Sequence, residues 1–60
     1  MNARQFKRWL AQRGCRFEPG KGGHLIVRLG DRAAVLPMHG SRKPLSKALM
    51  RAIEKQLGLK

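Results

Sequence analysis

Acidic residues and cysteine are scarce in this chain. Three Asp and Glu stand against fourteen Lys and Arg, which gives a formal charge of +11 over 60 residues. An excess of this size favours a polyanionic partner, either a nucleic-acid backbone or an anionic lipid surface. The single cysteine, Cys15, excludes an intrachain disulfide. A chain without that staple fits a reducing compartment, and we expect a cytoplasmic protein.

Long apolar runs are also missing. No stretch approaches the ~20 apolar residues that a membrane span needs, and the first residues lack the apolar core of a secretory signal. Hydrophobic residues nevertheless make up 42% of the chain, and the basic residues are spread among them. Disordered polycations have few apolar positions to bury. We therefore expect one folded basic domain over residues 1–60, with no membrane partner.

Apolar spacing and turn residues predict five elements of secondary structure. Asn2 and Ser46 are suitable N-caps, Gly14 is suited to end the first helix, and Gly30-Asp31 suits a two-residue hairpin turn. Helices are predicted over residues 3–13 and 46–57, and strands over residues 15–18, 24–29 and 32–36. The order α-β-β-β-α predicts an α+β fold in which a three-stranded antiparallel sheet carries both helices on one face. This element order resembles that of double-stranded-RNA-binding domains.

Side chains alternate along a strand, so the predicted second strand places His24 and Arg28 on the face without helices. Five cations are candidate RNA contacts on or near that face: Lys21, Arg28, Arg32, Arg42 and Lys43. In the third strand, the pattern leaves open whether Val35 or Leu36 faces the core. The cations of the first helix either face solvent or contact phosphate, and the sequence leaves both alternatives open.

Three residue types that often carry chemistry have simpler explanations here. Cys15 alternates with Phe17 toward the core, and no thiolate-stabilising motif accompanies it, so packing is favoured over nucleophilic catalysis. His24, His39 and Cys15 are widely spaced and match no zinc pattern, so we predict neither a metal nor a cofactor. The glycines at residues 20–23 precede a strand and lack the Gly-Lys-Ser/Thr ending of a Walker loop.

Four segments give the chain a family resemblance that runs from about residue 3 to residue 59. They are FKRWL at residues 6–10, GGH at 22–24, PMH at 37–39 and IEKQLGL at 53–59. In this order and spacing, the chain resembles the HicA toxins of bacterial toxin–antitoxin pairs. The resemblance implies a small ribonuclease that cleaves mRNA, arrests translation and is held inactive by a HicB-type antitoxin.

By motif matching, the catalytic histidine of the family falls on His24, with His39 as a possible auxiliary residue. Many relatives carry Ser or Asn where Gly23 stands, so a side-chain contribution from that position is absent here. Histidine ordinarily titrates near neutral pH and can take the proton of a 2′-hydroxyl without a metal ion. The expected product is a 2′,3′-cyclic phosphate, with Lys21 or Arg28 as phosphate contacts and His39 or water as the acid.

Two other classes of protein also fit parts of the sequence. A non-catalytic module that binds RNA or DNA backbones needs only the charge, and His24 would then be a surface or structural histidine. A membrane-active cationic peptide would use the two amphipathic helices, although the strand and turn signals between them disfavour it. Cleavage of single-stranded RNA in EDTA separates the first alternative from a nuclease.

Overall fold

The computed structural model describes residues 1–38 and 43–59 and confirms the predicted element order. The helices are α1 (Ala3–Gln12) and α2 (Lys47–Leu57), and the strands are β1 (Arg16–Pro19), β2 (His24–Leu29) and β3 (Arg32–Pro37). The bounds of β2 agree with the prediction, and β1 lies one residue later at each end. None of the described helices has the length and apolarity needed to cross a membrane.

The strands form one antiparallel sheet in the order β1-β2-β3. Leu29 pairs with Arg32, so Gly30 and Asp31 form the predicted two-residue turn. Gly30 has a φ of 62° and no non-glycine residue among those described has a positive φ, which is the pattern of a type II′ turn. At the opposite end of this hairpin, His24 pairs with Pro37.

Both helices begin at the predicted caps. The Asn2 side chain accepts a 2.9 Å hydrogen bond from the Gln5 N–H, and Gln5 Oε1 accepts one of 2.9 Å from the Asn2 N–H. Ser46 Oγ accepts a 3.1 Å hydrogen bond from the Leu49 N–H. These contacts satisfy amide groups that have no partner within their own helix, and they define where each helix starts.

The core lies between the two helices and one face of the sheet. Its largest fully buried side chains come from all elements except β1: Phe6, Leu10, Val27, Leu36, Ile53 and Leu57. Leu36 is 0% exposed and Val35 is 50% exposed, so β3 turns Leu36 inward. The expectation that both helices lie on one face is confirmed, and the other face of the sheet carries the exposed side chains of Val35 and Arg28.

Candidate active site and nucleic-acid interface

A tight turn delivers His24 to the first position of β2. The His24 N–H donates a 3.1 Å hydrogen bond to the Lys21 carbonyl, and the His24 carbonyl accepts one of 3.0 Å from the Gly20 N–H. Gly22 and Gly23 have φ values of 61° and 78°, as a type I′ turn requires at both central positions. Both backbone groups of His24 are therefore held, while its side chain is exposed.

Gly20 permits the chain to close around this turn. A Cβ atom on Gly20 would lie 3.0 Å from the His24 carbonyl oxygen, which is too close for a larger residue without movement of the backbone. On the other side, the Gly23 carbonyl accepts a 3.1 Å hydrogen bond from the Met38 N–H. The turn is thus attached both to the end of β1 and to the residue that follows β3.

Substitution of Gly22 tests the conformational demand of this turn. No atom lies within 4 Å of a Cβ built on Gly22, so backbone strain is the main penalty for a side chain there. We expect Gly22→Ala to lower the free energy of unfolding by about 1–2 kcal/mol, and Gly22→Asn to lower it by less, because Asn tolerates the left-handed region better. Urea denaturation measures both. Equal losses for the two variants would contradict this explanation.

The turn brings one of the predicted RNA contacts close to His24. Lys21 begins the turn, is exposed, and shares a backbone hydrogen bond with His24. Lys43 is also exposed and precedes Pro44, which forms a β-bridge with Asn2. Lys43 therefore lies beside the start of α1.

Arg28 is separated from His24 along β2. Four residues at ~3.3 Å per residue place the two Cα atoms roughly 13 Å apart. Arg28 Nε donates to Glu18 Oε2 at 2.8 Å, and both side chains are about half-exposed, at 52% and 51%. This ion pair already offsets part of the Arg28 charge, so the structure does not bring a free Arg28 cation to His24.

Arg32 lies at the far end of the β2-β3 hairpin. A Cβ on Gly58 would lie 3.2 Å from both Arg32 Cδ and Arg32 Nε, so the Arg32 side chain lies against the C-terminal end of α2. Gly58 ends this helix with a φ of 77°. A cation at that end stabilises the helix because the last carbonyl groups carry partial negative charge. This contact gives Arg32 a structural role away from His24.

The other predicted residues divide into two groups. His39 and Arg42 lie outside the described residues. Cys15 is a buried core residue, and burial raises the pKa of its thiol, which disfavours the thiolate. Among residues 1–38 and 43–59, no three His, Cys, Asp or Glu side chains are grouped closely enough to hold a metal ion.

The structure adds a basic surface whose role the sequence left open. Arg4, Lys7 and Arg8 line one recess together with Ala11 and Met38. The i, i+3, i+4 spacing of the three cations was visible in the sequence as one face of a helix. Its position beside Met38, and hence near the glycine turn, depends on how α1 packs across the sheet.

The fold and this site define a small cationic α-β-β-β-α domain with an exposed histidine at one end of its sheet, suited to a polyanionic ligand. The chain belongs to the HicA toxin family of bacterial toxin–antitoxin systems, whose family model matches residues 3–59. This result confirms the resemblance seen in the four sequence segments.

Two individual relatives agree with the family assignment. A Pseudomonas fluorescens (strain Pf0-1) protein named probable mRNA interferase HicA is 43% identical over 60 residues, which cover 100% of this chain and 98% of that protein. A chain in the crystal structure of the E. coli HicAB toxin–antitoxin complex is 38% identical and superposes with a TM-score of 0.82. That match covers 93% of this chain and 95% of the E. coli chain.

Proposed function

We propose that this chain is an mRNA interferase, a toxin endoribonuclease that arrests translation by cutting mRNA. The full-length relative from P. fluorescens carries that activity in its name, and the family is one of toxins. The observation that carries the proposal is the exposed His24, held by both of its backbone groups on a glycine turn beside Lys21. An exposed imidazole can reach a flexible polymeric substrate that a closed pocket would exclude.

In the proposed reaction, His24 takes the proton of an RNA 2′-hydroxyl. The 2′-oxygen then attacks the adjacent phosphorus, the bond from phosphorus to the 5′-oxygen breaks, and that oxygen receives a proton from His39 or from water. The products are a 2′,3′-cyclic phosphate and a 5′-hydroxyl. This route needs a base, an acid and a cation near the phosphoryl oxygens, and it requires no metal ion.

Lys21 is the proposed cation for the phosphate that reacts. It shares the turn with His24, whereas Arg28 is paired with Glu18 and Arg32 lies against the end of α2. Lys43 and Arg42 are proposed to contact RNA farther from the reacting phosphate. Arg28 and Arg32 can add only longer-range attraction, which salt screens within about 10 Å at 0.1 M.

The proposed inhibitor is a HicB-type antitoxin. The E. coli structure that this chain matches is a complex of HicA with its antitoxin, and the match covers nearly the whole of both chains. A charge of +11 also favours a partner with acidic surface groups. Because mRNA is a cytoplasmic substrate, the proposal includes a cytoplasmic location.

Cleavage of single-stranded RNA by the purified protein in EDTA tests this function. We expect shortened products that end in a 2′,3′-cyclic phosphate, detected by mass spectrometry, and loss of cleavage when a cognate HicB-type antitoxin is added. Intact RNA that is nevertheless bound would favour the non-catalytic binding module. Cleavage that EDTA abolishes and Mg²⁺ restores would contradict the metal-independent mechanism.

A further inference from the structure

Three cations on α1 surround a recess of about 320 Å³. Arg4, Lys7 and Arg8 line it together with Ala11 and Met38. Residues at spacings of three and four lie one above another on a helix, with ~5–6 Å between their Cβ atoms. This separation is comparable with that of successive phosphates along an extended single strand of RNA. The cations are therefore spaced to contact neighbouring phosphates.

Met38 connects the recess to the candidate active site. Its N–H donates a 3.1 Å hydrogen bond to the carbonyl of Gly23, the residue immediately before His24. Pro37, which precedes Met38, lies opposite His24 in the β2-β3 ladder. An RNA strand that reaches His24 can therefore continue past Met38 and onto α1.

The charge pattern of α1 is unfavourable for the helix by itself. Arg4 stands in the first turn, where the helix end carries partial positive charge, and that turn contains no acidic residue. Arg4 and Arg8 repel one another at i, i+4 spacing. Within residues 1–38 and 43–59, the ion pair found is Arg28 with Glu18, so no carboxylate offsets this cluster. An anionic ligand would relieve both effects.

We propose that Arg4, Lys7 and Arg8 form a substrate-positioning surface that binds the RNA phosphates flanking the cleaved bond. Met38 and Ala11 provide an apolar contact for a base of the same strand. The inference rests on the RNA-cleaving function proposed above and names where its substrate is held. A run of like charges with no carboxylate, continuous with the histidine turn, fits repeated phosphates better than the mixed surface of a protein.

Binding of uncleavable RNA measures this surface without the chemistry. A fluorescent single-stranded 2′-O-methyl RNA has no free 2′-hydroxyl, so its anisotropy reports affinity alone. The test variant is Arg4→Gln with Arg8→Gln, since Lys7 also contacts the Phe17 ring at 5.3 Å. We expect roughly tenfold weaker binding. The slope of log K against log salt should become shallower by roughly 1.4, because each single-strand contact contributes about 0.7.

The matched control is Lys47→Gln with Arg51→Gln. These exposed cations also stand four residues apart, and Lys47 occupies the first turn of α2 as Arg4 does in α1. Both double variants remove the same charge and a cation from a helix N-terminus, so neither is expected to lower the melting temperature. The control should bind RNA within about twofold of the parent.

Cleavage kinetics on an ordinary RNA supply the second readout. Loss of positioning contacts should raise KM about as much as it weakens binding and leave kcat within about threefold. Equal binding losses for the two double variants would overturn the proposal in favour of diffuse charge. Unchanged RNA binding by the α1 variant would also overturn it, and a simultaneous loss of inhibition by a HicB-type antitoxin would identify a protein-docking surface.

One outcome separates this inference from the proposed function. A parent protein that binds uncleavable RNA through α1 and leaves ordinary RNA intact would support the surface and contradict the chemistry assigned to His24.

Discussion

Replacement of His24 by alanine is expected to lower the rate of RNA cleavage by about 10²–10⁴-fold, the usual contribution of a positioned general base. His24 is exposed at the first position of β2, so its side chain adds nothing to the buried core, and the variant should fold as the parent does. Cleavage of a labelled single-stranded RNA in EDTA measures the loss. Affinity for a 2′-O-methyl RNA should remain close to that of the parent, because the phosphate contacts are unchanged.

Lys21→Gln is the control for His24→Ala. Lys21 shares the turn and carries charge, but it cannot act as the base while protonated, so its loss should weaken cleavage by less than the loss of His24. His24→Ala protein that cuts RNA at the parental rate would remove His24 from the mechanism. Loss of RNA binding in proportion to cleavage would make His24 a binding residue instead.

Leu36→Ala should have the largest effect on stability. Leu36 is 0% exposed in β3 and pairs with Leu25 across the hairpin. Deletion of a buried leucine side chain lowers the free energy of unfolding by about 2–5 kcal/mol. A domain of this length has only about 3–9 kcal/mol in total. We therefore expect a substantial unfolded fraction at 37 °C, measured by urea denaturation and circular dichroism.

Val35→Ala provides the comparison from the adjacent position. Val35 is 50% exposed on the other face of the sheet, and exposed substitutions of this kind change stability by about 0.5 kcal/mol or less. Its denaturation midpoint should stay near that of the parent. Similar losses for Leu36→Ala and Val35→Ala would mean that β3 does not present these two faces as described.

Much of the fold was predictable because its signals are local. The helix caps at Asn2 and Ser46 and the hairpin turn at Gly30 act within a few residues of themselves, so the sequence shows them directly. The alternation in β2 correctly predicted that Val27 faces the core. The choice between Val35 and Leu36 was different, because both have apolar or small neighbours and only pairing with β2 decides it.

The candidate site was less predictable because charge alone does not report distance. Among the described candidate cations, Lys21 shares the turn of His24, Arg28 pairs with Glu18, and Arg32 lies against Gly58. All three are basic residues near strand ends in the sequence. Their different surroundings depend on cross-strand neighbours and on the end of α2, which are distant along the chain.

The sequence by itself determined the order of helices and strands, the family, and His24 as the candidate base, because periodicity, caps and short motifs are written in neighbouring residues. The tertiary structure decided which face of β3 is buried, which cations already have partners, and that the basic face of α1 lies beside Met38 and the glycine turn. These features depend on the packing of elements that are far apart in the chain, and local sequence patterns do not specify that packing.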